Sequence, residues 1–153
     1  MANPFPFSAG AVLTAAQMNS VSEWTSYTPQ WTSSGTQPVI GDGVLLGKYL
    51  RINKFIMAEM TLITGGTTTF GTGQYRLSLP ITAKAPLWNY ANAGMGRIFD
   101  ASAVQAYWTA ALFFAGATTY VAFTTSFGTV TNTVPMTWGV SDELTVQVMY
   151  EAA

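Results

Sequence analysis

The sequence predicts an all-β, antiparallel fold, a sandwich or a barrel, and three observations carry that expectation. From residue 43 onward, short runs rich in Val, Ile, Leu, Thr and aromatic residues recur between Gly, Pro and Asn turn signals, giving about seven or eight strands. Several runs alternate apolar and polar residues with period two. After residue 23 no amphipathic segment is long enough for the helix of a βαβ crossover, so a parallel sheet is not expected.

Ahead of the strands the chain reads differently. Met1–Gly10 is expected to be an extended arm, because Pro4 and Pro6 fix φ and push the residues before them out of the helical region. Thr14-Ala15-Ala16-Gln17 then matches a capping box, with Thr at the N-cap and Gln at the third helical position. Leu13 and Met18 are spaced as a hydrophobic staple. The helix this predicts, from about Ala15 to Ser22, is too short to be stable alone and must dock on something. The expected organisation is an arm and short helix over 1–23 and a β-domain over 24–153.

EWTSYTPQWTSSGTQPVIGDG reads as a loop passage, punctuated by Pro29, Gly35 and Pro38, whose Trp24, Tyr27 and Trp31 anchor it on the core or form a sugar platform. GVLLGKYLRI is a strand that ends in a tight turn at Asn53-Lys54, since Asn tolerates positive φ. In FIMAEMTLIT, Ile56, Ala58, Met60 and Leu62 share one face, while Phe55, Met57, Glu59, Thr61 and Ile63 share the other. Both faces are partly apolar, which implies cover on both sides. Gly71 and Gly73 make a turn before Tyr75, Leu77 and Leu79, and Pro80 ends that strand because it has no N–H to donate. APLWNYANAG is expected to be loop. MGRIFDAS, VQAYWTAALFF and TTYVAF follow as strands, with shorter ones in GTVTNTVPM. The last strand is the cleanest: Leu144, Val146, Val148 and Tyr150 face one way, and Thr145, Gln147, Met149 and Glu151 the other.

Composition excludes much chemistry. There is no cysteine, so no disulfide or thiolate metal site, and no histidine, so no imidazole base or ligand. The formal charge of −1 gives no electrostatic case for nucleic acid or an anionic membrane. The first residues lack the basic region of a signal peptide, and the longest apolar run, Ala110–Ala117, is far short of the roughly 20 residues a spanning helix needs. Charged residues make up 8% of the chain, against about 25% in an ordinary globular domain, while 49% are hydrophobic. Such a surface suits a chain covered by neighbouring chains.

Catalytic constellations are not expected either. Ser and Thr are plentiful, but they lack a base, and none of Lys48, Lys54 or Lys84 stands in a Ser-x-x-Lys pattern. Asp142 and Glu143, side by side before a strand, point to opposite faces and read as a solvated turn rather than an acid/base pair. Asp42 in GDG is a turn residue without the spaced oxygen ligands of a calcium loop. FGTG has no third glycine and no following helix, so it is not a dinucleotide cradle. The chain is expected to be no enzyme and to hold no cofactor or metal.

One resemblance adds to this. FSAGAVLTAAQMN resembles the N-terminal segment of many tailed-phage virion structural proteins, in which a "G-x-VLTAAxxN" arm precedes a β-rich domain. The ordered elements "TPxW" in YTPQW, "GxYxRxxK" in GKYLRINK and FGTGQYRLSLP are similar to such proteins, as is the closing DELTVQVMYEA. The likeness covers roughly residues 7–80 and the last strand. It implies a jelly-roll-like β-sandwich, commonly a homotrimer, serving as a capsid decoration protein, a minor tail protein or part of a fibre. Its length favours a small head-decoration subunit, located in the virion after assembly in the host cytoplasm. The partners implied are other copies of the chain and virion proteins such as the major capsid protein, without nucleic acid or membrane. The assembly interface expected from the arm and helix comprises Phe5, Phe7, Val12, Leu13, Met18, Val21 and Trp24. An alternative function, glycan binding at a fibre tip, would use Trp88, Tyr90 and Trp108 as stacking faces, although Trp108 in AYWTAALFF fits a core position equally well.

Overall fold

A computed structural model describes residues 12, 14, 15, 23–85, 90–114 and 118–153. The protein is all-β and antiparallel. Its strands are β1 (Thr25–Tyr27), β2 (Trp31–Ser33), β3 (Val44–Ile52), β4 (Phe55–Ile63), β5 (Tyr75–Ser78), β6 (Tyr90–Asp100), β7 (Gln105–Phe114), β8 (Tyr120–Thr125), β9 (Gly128–Thr129) and β10 (Glu143–Glu151). They form one sheet in the order β1-β3-β4-β10-β6-β7-β8-β5-β2, and β9 pairs with β8.

Local chemistry explains most of the joints. The β3–β4 hairpin turns at Asn53-Lys54 with Asn53 at φ 54°, as the sequence predicts. Gly71 and Gly73 take positive φ in the turn before β5. The β6–β7 hairpin closes over residues 101–104, where the Asp100 carboxylate accepts from Ser102 Oγ at 2.7 Å and from the Ala103 N–H at 2.9 Å. Two strands sit outside the sequence expectation. The passage around Trp24–Trp31, read as loop, contributes β1 and β2. Residues 90–94, also read as loop, begin β6.

β1 and β2 lie at opposite edges of the sheet, yet only Thr28-Pro29-Gln30 separates them in sequence. The Ser78 N–H donates to Gln30 O at 3.0 Å, and the Gln30 N–H donates to Ser78 Oγ at 2.8 Å. Pro29, which has no N–H, sits where ladder pairing passes from one edge to the other. The sheet therefore curls until its two margins are the halves of one bent strand.

The concave face is the core. From β4 come Ile56, Ala58, Met60 and Leu62; from β10, Leu144, Val146 and Val148; from β8, Val121 and Phe123. Tyr75 lies at the centre, with its ring 5.0 Å from Trp31 and 5.7 Å from Trp138, and its hydroxyl donates to Phe70 O at 2.7 Å. Tyr27 packs beside the core over Gly47, its register partner. A Cβ on Gly47 would meet that ring at 2.5 Å, so any larger residue there would have to displace the Tyr27 ring.

The all-β antiparallel class is thus present. The pairing is one continuous curled sheet, and a two-sheet jelly-roll assignment does not follow from it. Of the helix expected over residues 15–22, all but the first residue lies outside the described residues, as do Phe5, Phe7, Leu13, Met18, Val21 and Trp88.

Candidate functional site

The carboxylates singled out in the sequence hold turns and loops together. Asp42 Oδ1 accepts the Thr67 N–H at 2.8 Å and the Thr67 hydroxyl at 2.9 Å, which hold its carboxyl below the usual carboxylate value. Asp100 is held low in the same way, first by the Ala103 N–H and then by the Ser102 hydroxyl. Asp142 corrects the sequence reading. It is 1% exposed, not a solvated turn residue. Its Oδ2 accepts the Gly139 N–H at 2.6 Å, its Oδ1 accepts the Ala101 N–H at 2.9 Å, and its own N–H donates to Thr64 Oγ1 at 3.0 Å. It clamps three loops at one end of the sheet. Glu143 points the other way, as expected, and pairs with Arg97 at 3.0 Å. No group of three or more potential metal ligands occurs among the described residues.

The site of interest is the convex face of the sheet. Period-two alternation sends one set of β-strand side chains to the core, so the other set must face outward. The register fixes how they line up. Ser26, Lys48, Glu59, Gln147 and Met95 form one row across β1, β3, β4, β10 and β6. Leu46, Thr61, Thr145, Arg97 and Trp108 form the next, from β3 to β7. Along the first row, Lys48 Nζ lies 2.8 Å from Glu59 Oε2, and Gln147 Nε2 donates to Glu59 Oε1 at 2.7 Å. Lys48 also lies 4.6 Å over the Trp24 ring. Each charge on these rows has a partner on the face.

Apolar side chains flank this polar ladder and are not covered. Trp108 is 71% exposed, Met95 65%, Leu46 61% and Met149 55%; Phe55, Val44 and Ile52 are exposed as well. Two shallow grooves flank the ladder. One, lined by Met95, Arg97, Trp108, Thr145 and Gln147, lies toward β7. The other, lined by Ser26, Tyr27, Thr28, Leu46 and Lys48, lies at the β1–β3 margin.

Comparison of the chain with family models, with curated proteins and with solved structures gives no match. The surface must therefore be read from its own chemistry.

Of the residues expected at an assembly interface, Val12 is exposed, and Trp24 is exposed on the convex face beside Lys48. Of the glycan-stacking candidates, Trp108 is on the surface and not in the core. Tyr90 opens β6. Residue-by-residue reading missed Leu46, Met95, Met149 and Phe55. The signal for them was present in β4, whose two faces are both partly apolar. Cover on both sides, the expectation drawn from that, is met on the inner face only.

Proposed function

We propose that this chain is a non-enzymatic bacteriophage virion structural protein, most simply a trimeric head-decoration subunit with a jelly-roll-like body. The observation that carries the reading is the convex face: a continuous sheet surface with large uncovered apolar side chains and internally neutralised charge. Burial of such a face against protein gains about 25 cal/mol per Å² of apolar area and strands no charge. In this reading residues 1–23 attach the subunit to the particle, with the major capsid protein as the partner. The resemblance over roughly residues 7–80 and in the last strand supports it.

Deletion of residues 1–21 tests the attachment. The truncated chain should keep its strand circular dichroism and lose its place in the particle. Truncated protein at full occupancy in purified particles would refute the arm's role. Copy number from quantitative mass spectrometry of particles separates locations: hundreds of copies mean the head or tail tube, a handful the tail tip.

A second reading, a minor tail or fibre protein that binds host-surface glycan, has one specific observation behind it. The groove beside Trp108 sets an exposed indole next to Arg97 and Gln147, a stacking face with hydrogen-bonding groups at its edge. Glycan-array signal abolished by Trp108→Ala would favour it. Silence on the glycans of the host surface would remove it.

A further inference from the structure

The β7–β8 ladder stops early. Ala110 pairs with Thr124, Ala111 with Phe123 and Leu112 with Ala122, although β7 already begins at Gln105. β8 leaves the ladder at Thr125, where Ser126-Phe127 turn the chain back into β9 and Gly128 takes φ 114°, a conformation that favours glycine. The Thr109 hydroxyl donates to Thr124 O at 2.9 Å and closes the inner end of the opening. Beyond it lies a cavity of about 440 Å³, lined by Gln105, Ala106, Tyr107, Trp108, Ser126 and Phe127.

Hydrogen-bond parity fixes what β7 shows to that cavity. The Val130 N–H donates to Phe123 O at 3.0 Å, so Phe123 aims its main-chain groups toward the β9 side and away from β7. In an antiparallel strand these groups change sides from one residue to the next. Those of Thr124 therefore point at β7, where they meet Ala110. At every second residue back along β7, Trp108 and Ala106 aim their N–H and C=O the same way. β8 has no rung to set opposite them. One wall of the cavity is thus an open strand edge.

We propose that this gap is a docking slot, in which an extended, uncharged segment of another protein adds a short strand beside residues 105–109. The donors and acceptors of Ala106 and Trp108 recur at the repeat of a strand, which a second main chain matches and a sugar does not. Alternate guest side chains meet Trp108 on the convex face, and Tyr107 with Phe127 on the other. These rings are open to receive them: Trp108 is 71% exposed and Phe127 66%. No lining residue carries a charge, so a charged guest side chain would lose water without gaining a partner.

Both walls are set in advance. The Phe127 N–H donates to Thr125 Oγ1 at 3.1 Å, and that hydroxyl donates to Gly128 O at 3.2 Å. The Asp100 carboxylate holds the turn that leads into β7. The guest is ordered on binding and the host is not, which lowers the entropic cost. The slot is a property of the sheet and stands apart from the virion reading.

The test uses the full chain and a capped heptapeptide that alternates Thr and Val around one central Phe. In the free protein, amide exchange should be fast at Ala106 and Trp108, and slow at Tyr107 and Thr109, which face β6. Saturating peptide should slow Ala106 and Trp108 at least about tenfold and leave Tyr107 and Thr109 unchanged. The same peptide with its central amides N-methylated keeps the side chains and should give no protection. Phe127→Ala, at an exposed turn, should weaken binding several-fold with unchanged strand circular dichroism. Slow exchange at Ala106 and Trp108 in the free chain would overturn the slot, because the edge would already be paired. So would amides that stay fast with peptide at about 1 mM, a level that still detects weak binding. Equal protection by the N-methylated peptide would overturn it too, as would protection by a neutral oligosaccharide where the peptide gives none.

Discussion

The two faces of the central strands are built from similar residues and have opposite fates. On β4, Ile56, Ala58, Met60 and Leu62 are at most 1% exposed, while Met57, Glu59, Thr61 and Ile63 on the other face are half-buried. On β10, Leu144 and Val148 are fully buried, while Met149 is more than half exposed. Hydrophobicity does not separate these sets: Met60 is buried and Met95 is not. The difference is curvature. The sheet closes around one face, so that face finds partners within the chain. The other face is left on the outside of the curve.

The largest expected effect breaks the comparison most directly. Leu62→Ala or Leu144→Ala, on the inner face, should cost about 2–5 kcal/mol in chemical denaturation. Leu46→Ala, on the outer face, should cost the unassociated chain less than about 0.5 kcal/mol. Equal costs at the two positions would mean that the outer face is already packed within one chain.

Asp142 sharpens the picture from the polar side. Asp142→Ala leaves the N–H groups of Gly139 and Ala101 without their acceptor in a buried setting. A loss of about 2–4 kcal/mol is expected. Asp142→Asn should recover only part of it, because an amide offers one acceptor oxygen for two N–H groups. Stability of the alanine variant within error of the wild type would show that water can reach this clamp.

Acid and alkali probe the two environments separately. Burial raises Tyr27, Tyr75 and Tyr150 well above the ordinary tyrosine value. Their contribution is therefore complete below the unfolded value and is lost as pH rises past about 10. Asp42 and Asp100 are depressed, so their contribution is present above about pH 4 and is lost as pH falls through their folded values. With no histidine, the thermal midpoint should be flat from pH 6 to pH 8. A midpoint that moves within that window would contradict this assignment.

A smaller effect than those at the core and at Asp142 lies at the tip of the β6–β7 hairpin. Val104 is exposed and has φ 53°, a conformation costly for a β-branched residue. Val104→Gly should raise stability by about 1 kcal/mol, and a decrease would show that the Val104 side chain has contacts the exposed tip does not provide.

Much of the fold was legible in the residues. Alternation in β4 and β10 gave both strands and their inner faces, and Asn53 gave the hairpin between β3 and β4. What was not legible depended on distant backbone. Residues 90–94 look like loop because Asn and Gly punctuate them, yet Gly94 is there because the Gln147 carbonyl of β10 approaches too closely for any Cβ. Asp142 looks like a solvated turn until the Gly139 N–H of its own loop and the Ala101 N–H of the β6–β7 turn converge on it. Trp108 sits among apolar neighbours in sequence, and only parity along β7, with Thr109 and Ala111 facing in, turns it outward. The candidate surface was visible only as an excess of apolar residues on both faces of one strand.

The place of β10 in the sheet has a consequence for biogenesis. The strand nearest the C-terminus is central, inserted between β4 and β6. Two nine-residue-scale hairpins emerge from the ribosome earlier with that slot between them empty. Until Glu143–Glu151 arrives, the flanks of β4 and β6 display unpaired N–H and C=O groups, the template on which strands of other molecules aggregate. A chain that stops short of this segment leaves the sheet open between β4 and β6, with both flanks unpaired.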